Sequence, residues 1–539
     1  MLSVIPKPNK VLEKRGSFII TSKLTVNSEF SQGLAMVKDL FLGHSEISIG
    51  STKNEADITI KEKANYEEEK YLLDISPNGI EIFASGVVGV FYALQTLRQI
   101  AKIDTVDNLD NTEIGSAYIM DSPRFEHRGF MLDEARHFFG MELVKKTLDM
   151  MAMLKLNVFH WHLTDDQGWR IEIKKYPLLT QKGSIRRSTQ LDLIGYNANK
   201  EKHDNTIYGE GKFYTQKQIK EVVAYASKLN ISVIPEIDMP GHLIAAIACY
   251  PELSCFDEKI EVSTRWGVMD TIGCMGKPNL MEFVKNIIDE VVELFPAQYF
   301  HIGGDEVPKT KWKKCEKCQA KIKELGLKDE NALQGYFNNE VLKYLQSKGK
   351  KLIGWDEILE ASALSSDVIA QYWEGNASKN GVADWLQKGN KIIISYNPFV
   401  YMDHFYSMKD LPKFYSMDLD TTGLDTKYEQ NVLGMEAPQW TEYVRDITKF
   451  NFNTYPRMQA LAEICWTNKE NKNFEDFDSR LQQFLPILDK LNIGYAPREI
   501  YICKGIKGYF RKGNAHKNWI KDPNFEMNEY YKIKKTKNK

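Results

Sequence analysis

The chain has no excess of charge of one sign and no long hydrophobic run. Its 539 residues include 71 lysines and arginines against 73 aspartates and glutamates, a formal net charge of −2. Binding to nucleic acid or to an anionic membrane surface needs a basic excess, so neither partner is expected. No apolar stretch reaches the roughly 20 residues of a membrane-spanning helix, so no membrane span is predicted.

Cysteine is scarce. Seven cysteines, an odd number, do not form the framework of a disulfide-rich protein. Cys255 and Cys274 could close one loop if the compartment is oxidising. Cys315 and Cys318 form a CxxC, but no second CxxC accompanies it, so the sequence predicts no metal site.

The first residues lack the features of a signal peptide. Residues 1–8 contain neither a long apolar segment nor a cleavage site. We expect a periplasmic or secreted protein whose signal peptide is absent from this chain, with a cytoplasmic protein as the alternative. The oligomeric state is not predicted.

The length exceeds what one hydrophobic core usually organises, so at least two domains are expected. Residues 1–120 combine short β-rich runs with one helix near Val87–Ala101, the pattern of a small α+β domain. The polar stretch Asp104–Glu113 resembles a linker. We predict a small domain over 1–123, a second domain over 124–490 and an unassigned C-terminal extension over 491–539. The β-rich runs are Ser17–Thr21, Asp57–Ile60, Tyr71–Ile75 and Gly79–Ala84.

From Glu126 the chain alternates strands and helices. Eight short apolar strands with intervening helices over about 350 residues predict an α/β fold, a (β/α)₈ TIM barrel. An open doubly wound sheet is the alternative, but the residues after the first strand, Asp133–His137, contain no glycine-rich phosphate loop. The predicted helices include Met141–Lys155, Thr215–Leu229, Leu280–Leu294 and Asn331–Ser347. The predicted strands are Gly129–Asp133, Val158–Leu163, Ser232–Ile237, Tyr299–Ile302, Leu352–Trp355, Val368–Trp373, Lys391–Ser395 and Val432–Glu436.

The most informative motif is His301–Val307, which reads His-Ile-Gly-Gly-Asp-Glu-Val. Two glycines after an apolar strand allow a tight turn and the close approach of a ligand. Neighbouring side chains in an extended backbone point to opposite sides. Asp305 and Glu306 could therefore act on two different parts of one bound molecule, although an acidic turn without function is the simpler interpretation.

The other strand ends carry a consistent set of polar and aromatic residues. In a TIM barrel these ends build the active site. Carboxylates, one arginine and three tryptophans on one rim are typical of a sugar site, which needs flat apolar walls and charged partners for hydroxyls. The residues concerned are Arg136, Asp165, His242, Trp355, Trp373, Tyr401, Asp403, Trp440 and Glu442.

Each member of this set also has a simpler interpretation. A tryptophan at a strand end is often part of the barrel core. Arg136 could pair only with Asp133 or Glu134. His160 and His162 could bind a metal, but a core histidine with satisfied hydrogen bonds is favoured because no third ligand is evident. These interpretations do not explain why the residues occur together at successive strand ends.

With these motifs in place, the chain resembles glycoside hydrolase family 20, the β-N-acetylhexosaminidases, and in particular the bacterial exo-β-N-acetylglucosaminidases. The resemblance covers residues 1 to about 490 and rests on His162–Arg170, Pro235–His242, His301–Val307 and Trp440–Glu442. It implies the roles of individual residues. Glu306 is expected to be the general acid/base, while Asp305 and Tyr401 hold the acetamido group of the substrate. Trp355, Trp373 and Trp440 are expected to form the walls of the sugar pocket, and Arg136, Asp165, His242, Asp403 and Glu442 to bind hydroxyls or support the site.

The family also implies a mechanism in which the substrate's acetamido oxygen is the nucleophile. The expected activity is exo-acting and retaining, on glycans that end in N-acetylglucosamine or N-acetylgalactosamine, without a cofactor or metal. Three alternatives stay open: a carbohydrate-binding protein on a disabled barrel, a family member that releases a disaccharide, and a metal-dependent barrel hydrolase.

Overall fold

A computed structural model describes residues 2–50, 56–192, 201–360, 364–375, 378–503 and 522–537, with Lys512, Asn514 and Lys517 as isolated positions. By Cα proximity the chain forms two compact units. The first unit gathers Met1–Arg128, Met150–Leu156 and Tyr455–Tyr495, and the second gathers the remaining segments. Because each unit collects several segments, the domain boundaries after residues 123 and 490 stay a prediction.

The N-terminal unit contains a seven-stranded mixed sheet with strand order β1-β7-β5-β6-β4-β2-β3. The polar stretch around residue 105 is a loop inside this unit rather than a linker, since Thr112 already begins β7. Helices Gly33–Leu40 and Val87–Ile100 belong to it. The strands are β1 Lys10–Ile20, β2 Lys23–Ser28, β3 Glu46–Ile49, β4 Ile58–Glu62, β5 Tyr71–Ser76, β6 Gly79–Ala84 and β7 Thr112–Asp121.

The second unit is built on a closed barrel of eight strands, which confirms the predicted TIM barrel. Side chains such as Val158, Ile234 and Ile393 pack together as one buried cluster. The hydrogen-bonded barrel pairs are parallel, so their carboxyl ends meet on one rim. The strands are β8 His127–Asp133, β9 Val158–His162, the hairpin β10 Thr164–Asp165 and β11 Gly168–Trp169, β12 Ser232–Glu236, β13 Tyr299–His301, β14 Lys351–Trp355, β15 Ile369–Tyr372, β16 Ile392–Ile394 and β17 Val432–Gln439, where β10 and β11 lie outside the barrel wall.

The four helices predicted for this part of the chain are present with shifts of one or two residues at most ends. The helix Gln216–Lys228, for example, begins where the Thr215 side chain accepts the N–H of Gln218 in a capping box. No described helix is long and apolar enough to cross a membrane. The helices after β8 are Met141–Met153, Leu178–Gln181, Gln216–Lys228, Ile244–Cys249, Pro278–Val292, Thr310–Lys314, Glu316–Glu324, Glu330–Ser347, Lys379–Gln387, Asn397–Val400, Leu411–Tyr415, Ile447–Thr454, Arg457–Trp466, Phe474–Lys490, Arg498–Tyr501 and Phe525–Lys537, with short 3₁₀ turns at Pro251–Leu253, Asp356–Glu360, Asp420–Thr422, Thr426–Asn431 and Lys469–Asn471.

Candidate active site

The turn after β13 presents the two adjacent carboxylates. Gly303 and Gly304 both have positive φ, and a Cβ on Gly303 would lie 2.0 Å from Oδ1 of Asp238. Only glycine therefore fits between β13 and the neighbouring strand end. The Gly304 N–H donates to the same Asp238 oxygen at 3.1 Å, which anchors the turn.

Asp305 is buried, with 8% of its surface exposed. Its buried Oδ1 has no hydrogen-bond partner among the described residues, although it lines a cavity. Burial, together with the negative charge of Asp238, raises the pKa of Asp305 well above that of an ordinary aspartate. Burial also raises the pKa of Asp238 to about 7. An N–H donor or a positive charge in the cavity would favour the ionised form of Asp305.

Glu306 occupies a different environment. It adopts a left-handed backbone conformation (φ 48°), which is uncommon outside glycine and often occurs at functional sites. Its backbone N–H donates to the Glu357 carboxylate. The Glu306 side chain is 35% exposed, and its Oε2 lies 3.4 Å from Nε2 of His242. Glu306 is thus at the mouth of the cavity, whereas Asp305 lies inside it.

His242 connects Glu306 to a buried acidic pair. Its Nδ1 lies 3.1 Å from Oδ1 of Asp165 and 3.3 Å from Oδ2 of Asp166. Burial alone would lower the pKa of His242, but Asp165 and Asp166 outweigh burial and raise it well above the usual value. A cationic imidazole held in this way presents an N–H toward Glu306.

Arg136 is a second buried cation of the site, beside His242. Its guanidinium lies 2.7 Å from Asp165, 3.2 Å from Asp133 and 3.9 Å from Glu442. It also lies 5.0 Å from the ring centre of Trp440. The simpler interpretation, that Arg136 pairs with Asp133, is therefore correct but incomplete, because the same side chain lines the cavity. Burial raises the pKa of Glu442 to about 7 despite Arg136.

These side chains surround one cavity of about 200 Å³. Trp373 and Tyr401 stack against each other in its wall, with ring centres 6.1 Å apart and planes inclined by 25°. Each proposed site residue except Trp355 is among the lining residues. These are Arg136, Asp165, Asp238, His242, Asp305, Glu306, Trp373, Asn397, Tyr401, Asp403, His404, Trp440, Glu442 and Tyr443.

Trp355 lies below the cavity rather than in its wall. It is 1% exposed, and its Nε1 donates to Oε1 of Glu236 at 2.9 Å. Its ring centre is 5.9 Å from that of Trp440. Trp355 therefore supports Trp440 from beneath, and core packing describes it better than direct contact with a ligand.

A buried network of histidines and glutamates lies beneath the site. His162 contacts Glu236 through Nδ1 at 2.5 Å and Asp165 through Nε2 at 2.9 Å. His160 contacts Glu436 at 2.7 Å. His301 lies 3.1 Å from Glu236. His162 has carboxylate partners on both ring nitrogens, as expected of a satisfied core residue, whereas Nε2 of His160 and Nε2 of His301 are buried without a hydrogen-bond partner among the described residues.

Two acidic residues of the site were not assigned a role from the sequence. Asp238 belongs to the quoted motif Pro235–His242, and its position directly after β12 was the available signal. Glu357 follows Trp355 at the next strand end. Burial and the charge of Asp305 raise the pKa of Glu357 to about 9. The contact of Asp238 with Gly304 and that of Glu357 with Glu306 could not be predicted from the spacing of residues along the chain, because each contact joins the ends of two different strands.

Comparison with known proteins agrees with this geometry. A family model described as "Glycosyl hydrolase family 20, catalytic domain" matches residues 125–469, and a second, "Glycosyl hydrolase family 20, domain 2", matches residues 1–121. A β-hexosaminidase of Porphyromonas gingivalis is 38% identical over 92% of this chain, which spans 64% of the length of that relative. A β-hexosaminidase of Vibrio furnissii is 34% identical over 86% of this chain and 76% of its own length.

Solved structures give the same result. The exo-β-N-acetylglucosaminidase of Vibrio harveyi, in complex with N-acetylglucosamine, aligns with a TM-score of 0.80 at 32% identity, over 92% of this chain and 78% of that one. A β-N-acetylhexosaminidase of Bacteroides fragilis aligns with a TM-score of 0.78 at 29% identity, over 92% and 97%. Since the two family models together span the small domain and the barrel, the chain belongs to glycoside hydrolase family 20.

Proposed function

We propose that the protein is an exo-acting, retaining β-N-acetylhexosaminidase that removes terminal N-acetylglucosamine or N-acetylgalactosamine from glycans. One observation carries this proposal. The adjacent carboxylates Asp305 and Glu306 reach the same cavity from different environments, one buried without a partner and one at the mouth beside His242. Two carboxylates with distinct environments are suited to distinct roles in one reaction.

In the first step, Glu306 acts as general acid. It gives its proton to the glycosidic oxygen as the bond to the anomeric carbon breaks, and the substrate's acetamido oxygen attacks that carbon from the other face. The product of this step is a cyclic oxazolinium ion. The partial exposure of Glu306 leaves room for the departing part of the glycan. Asp305 is buried, so the general acid and the residue that orients the acetamido group occupy different parts of the cavity.

Asp305 and Tyr401 position the nucleophile. The ionised Asp305 carboxylate accepts the acetamido N–H and stabilises the positive charge that develops on the ring. The Tyr401 hydroxyl donates to the acetamido oxygen. Burial raises the pKa of Tyr401 well above its usual value, which keeps it a hydrogen-bond donor. The orphaned Oδ1 of Asp305 acquires its partner only when the substrate is bound.

In the second step, water attacks the oxazolinium ion, with Glu306 now acting as base. Two successive displacements at one carbon restore the original face, so the product keeps the β configuration. His242, held by Asp165, supports Glu306 in both directions of proton transfer. The chemistry uses protein groups and the substrate, without a cofactor.

The remaining residues bind the sugar. Trp373 and Trp440 cover its C–H surface, with Trp355 supporting Trp440 from below. Arg136, Glu442, Asp165 and Asp403 supply charged partners for the hydroxyls.

Exo action is supported by the shape of the site. A cavity of about 200 Å³ accommodates one sugar residue, and Glu306 stands at its mouth, where the leaving group meets solvent. Release of a disaccharide needs a second enclosed sugar position. Hydrolysis of a chitooligosaccharide ladder distinguishes the two, since exo action yields monosaccharide as the first product.

The test is a pair of chromogenic β-glycosides that differ only in the 2-acetamido group. A nucleophile held within the substrate can contribute roughly 7–11 kcal/mol to lowering the barrier. We therefore expect the N-acetylglucosaminide to be hydrolysed and the glucoside to be a very poor substrate. Comparable rates on both substrates, or an α-anomer as first product, would contradict the proposal.

The carbohydrate-binding alternative predicts binding without turnover in the same assay. It is disfavoured because Asp305, Glu306 and Tyr401 all line the cavity. Periplasmic or extracellular location stays a prediction.

A further inference from the structure

Four of the seven cysteines form a buried cluster outside the active site. Cys255 and Cys274 come from the long loop after β12, and Cys315 and Cys318 come from the segment after β13. All four are buried, and their Sγ atoms lie within 4.8 Å of one another. We call these four residues the cysteine cluster.

The distances in the cysteine cluster match a metal tetrahedron and not disulfides. The Sγ atom of Cys274 lies 3.7 Å from that of Cys318 and 3.9 Å from that of Cys315, and Cys255 lies 3.8 Å from Cys318. A disulfide brings two sulfurs to about 2.05 Å. Four thiolates around zinc, each at about 2.3 Å, lie about 3.8 Å from one another, which follows from tetrahedral geometry.

We propose that the cysteine cluster binds one structural Zn²⁺ ion. The cluster supplies four sulfur ligands and leaves no open position, which is the mark of a structural rather than a catalytic zinc. Binding releases the thiol protons and leaves a cluster with a net charge of about −2, since four thiolates surround one divalent cation. Lys277 and Lys317 line a cavity together with Cys274, and Lys277 is itself paired with Asp257 at 2.5 Å.

The backbone around the cysteine cluster is built for close approach. A Cβ on Gly276 would lie 2.4 Å from the backbone nitrogen of Cys318 and 2.2 Å from the carbonyl carbon of Lys317. Glycine at position 276 therefore lets the two cysteine-bearing segments touch. The turn at Cys274–Lys277 meets there the start of the helix Glu316–Glu324, whose N-cap is Cys315, and this contact brings the four sulfurs together.

The proposed zinc lies behind two segments of the active site. The Gly273 N–H donates to the carbonyl of Pro240 at 2.9 Å, and Pro240 lies between Asp238 and His242. On the other side, the Trp312 Nε1–H donates to the carbonyl of Gly273 at 2.9 Å. Trp312 lies in the short helix Thr310–Lys314, which begins four residues after Glu306.

This geometry assigns the metal a mechanical role. The zinc ties the loop that carries His242 to the segment that continues from Asp305 and Glu306. The zinc thereby fixes the distance between Glu306 and His242 without contacting the substrate. The proposal replaces the expectation from the sequence that the CxxC has no metal role. That expectation looked for a second CxxC, whereas the other two ligands, Cys255 and Cys274, are 19 positions apart.

The first test is elemental analysis of the freshly purified full-length chain by mass spectrometry. We expect one zinc per chain, retained through gel filtration. Protein produced in cobalt-containing medium should show the visible spectrum of a tetrahedral cobalt–thiolate centre. Neither measurement depends on enzyme activity, so a failure of the proposed hydrolase function would leave this test intact.

Variants locate the metal. Cys274→Ser and Cys318→Ser should each lower the zinc content roughly tenfold or more and lower the melting temperature, because metal binding is coupled to folding. Cys315→His should keep zinc, since imidazole replaces thiolate in many structural sites. Cys249→Ser is the matched control, because Cys249 is buried elsewhere and bonds to the carbonyls of Leu178 and Ala245. It should keep wild-type zinc and the cobalt spectrum.

Three results would overturn the proposal. Iron in place of zinc would show a redox-active centre instead of a structural zinc. Mass spectrometry that finds disulfides among the four cysteines would show a covalent clip. Four reactive thiols in metal-free, fully active wild-type protein would show that the cysteine cluster is only packed core.

Discussion

Asp305→Asn separates charge from shape in the active site. The asparagine keeps the size of the side chain and one oxygen that accepts the acetamido N–H, but it carries no charge. In the proposed mechanism a negative Asp305 faces the positive oxazolinium ring across one hydrogen bond, about 4 Å between centres of charge. Asp305 is 8% exposed, so solvent screens this pair weakly.

The magnitude follows from Coulomb's law. At about 4 Å and an effective dielectric constant of about 20, the attraction is worth about 4 kcal/mol. We therefore expect kcat to fall about 10²–10³-fold. The Michaelis constant should change little, because the neutral substrate loses only a charge-assisted hydrogen bond. Binding of N-acetylglucosamine should likewise persist.

The assay compares two ligands and a control variant. A thiazoline mimic of the cyclic intermediate acquires positive charge in the site, so its affinity should fall nearly as far as kcat. The control Asp384→Asn removes a negative charge from an exposed position on the helix Lys379–Gln387. It should leave kcat and the affinity for the thiazoline unchanged. Equal losses for N-acetylglucosamine and the thiazoline, or wild-type turnover, would refute the electrostatic role of Asp305.

A second prediction for Asp305→Asn concerns how the stability of the folded protein depends on pH. Burial and Asp238 raise the pKa of Asp305 in the folded protein. Between the ordinary aspartate pKa and this raised value, the folded state binds more protons than the unfolded state, so stability falls as pH rises. Asp305→Asn removes that loss. Its melting temperature should exceed that of the wild type at neutral pH, and the difference should shrink toward about pH 4. The opposite order at neutral pH would contradict the raised pKa.

Three further predictions concern single sites. Glu306→Gln should reduce hydrolysis by about 10²–10⁴-fold for poor leaving groups and by less for activated aryl groups, whereas an equal loss on both would exclude general acid catalysis. Trp373→Ala should weaken thiazoline binding without unfolding the protein, while Trp355→Ala should lower the free energy of unfolding by about 3–5 kcal/mol, measured by denaturant titration. The Lys155 ammonium lies 3.2 Å from the Asp121 carboxylate, and both side chains are fully buried. Asp121→Ala removes this counter-ion, so it should lower the free energy of unfolding by about 3–5 kcal/mol while kcat is retained.

The architecture could be predicted because its signal is local. Apolar runs of four to six residues separated by amphipathic helices occur along the chain itself, and all eight barrel strands are found within a few residues of their predicted bounds. Parallel strands bring their carboxyl ends to one rim, so Asp305, Glu306, Tyr401 and Arg136 could be placed together from their positions after strands. The strands β2, β3 and β7 of the small sheet were missed, β7 because the polar residues at its start resemble a linker.

The sequence by itself thus determined the fold and which residues gather at the rim. Only the tertiary structure decided how deeply each residue lies in the site and which charges surround it, because depth and charge depend on neighbours from other strands. Trp355 and Trp440 both end barrel strands, yet one is buried below the cavity and the other lines it. The cysteine cluster is the clearest case. Its ligands come from two loops, and their approach depends on the long-range contact at Gly276, which no local pattern records.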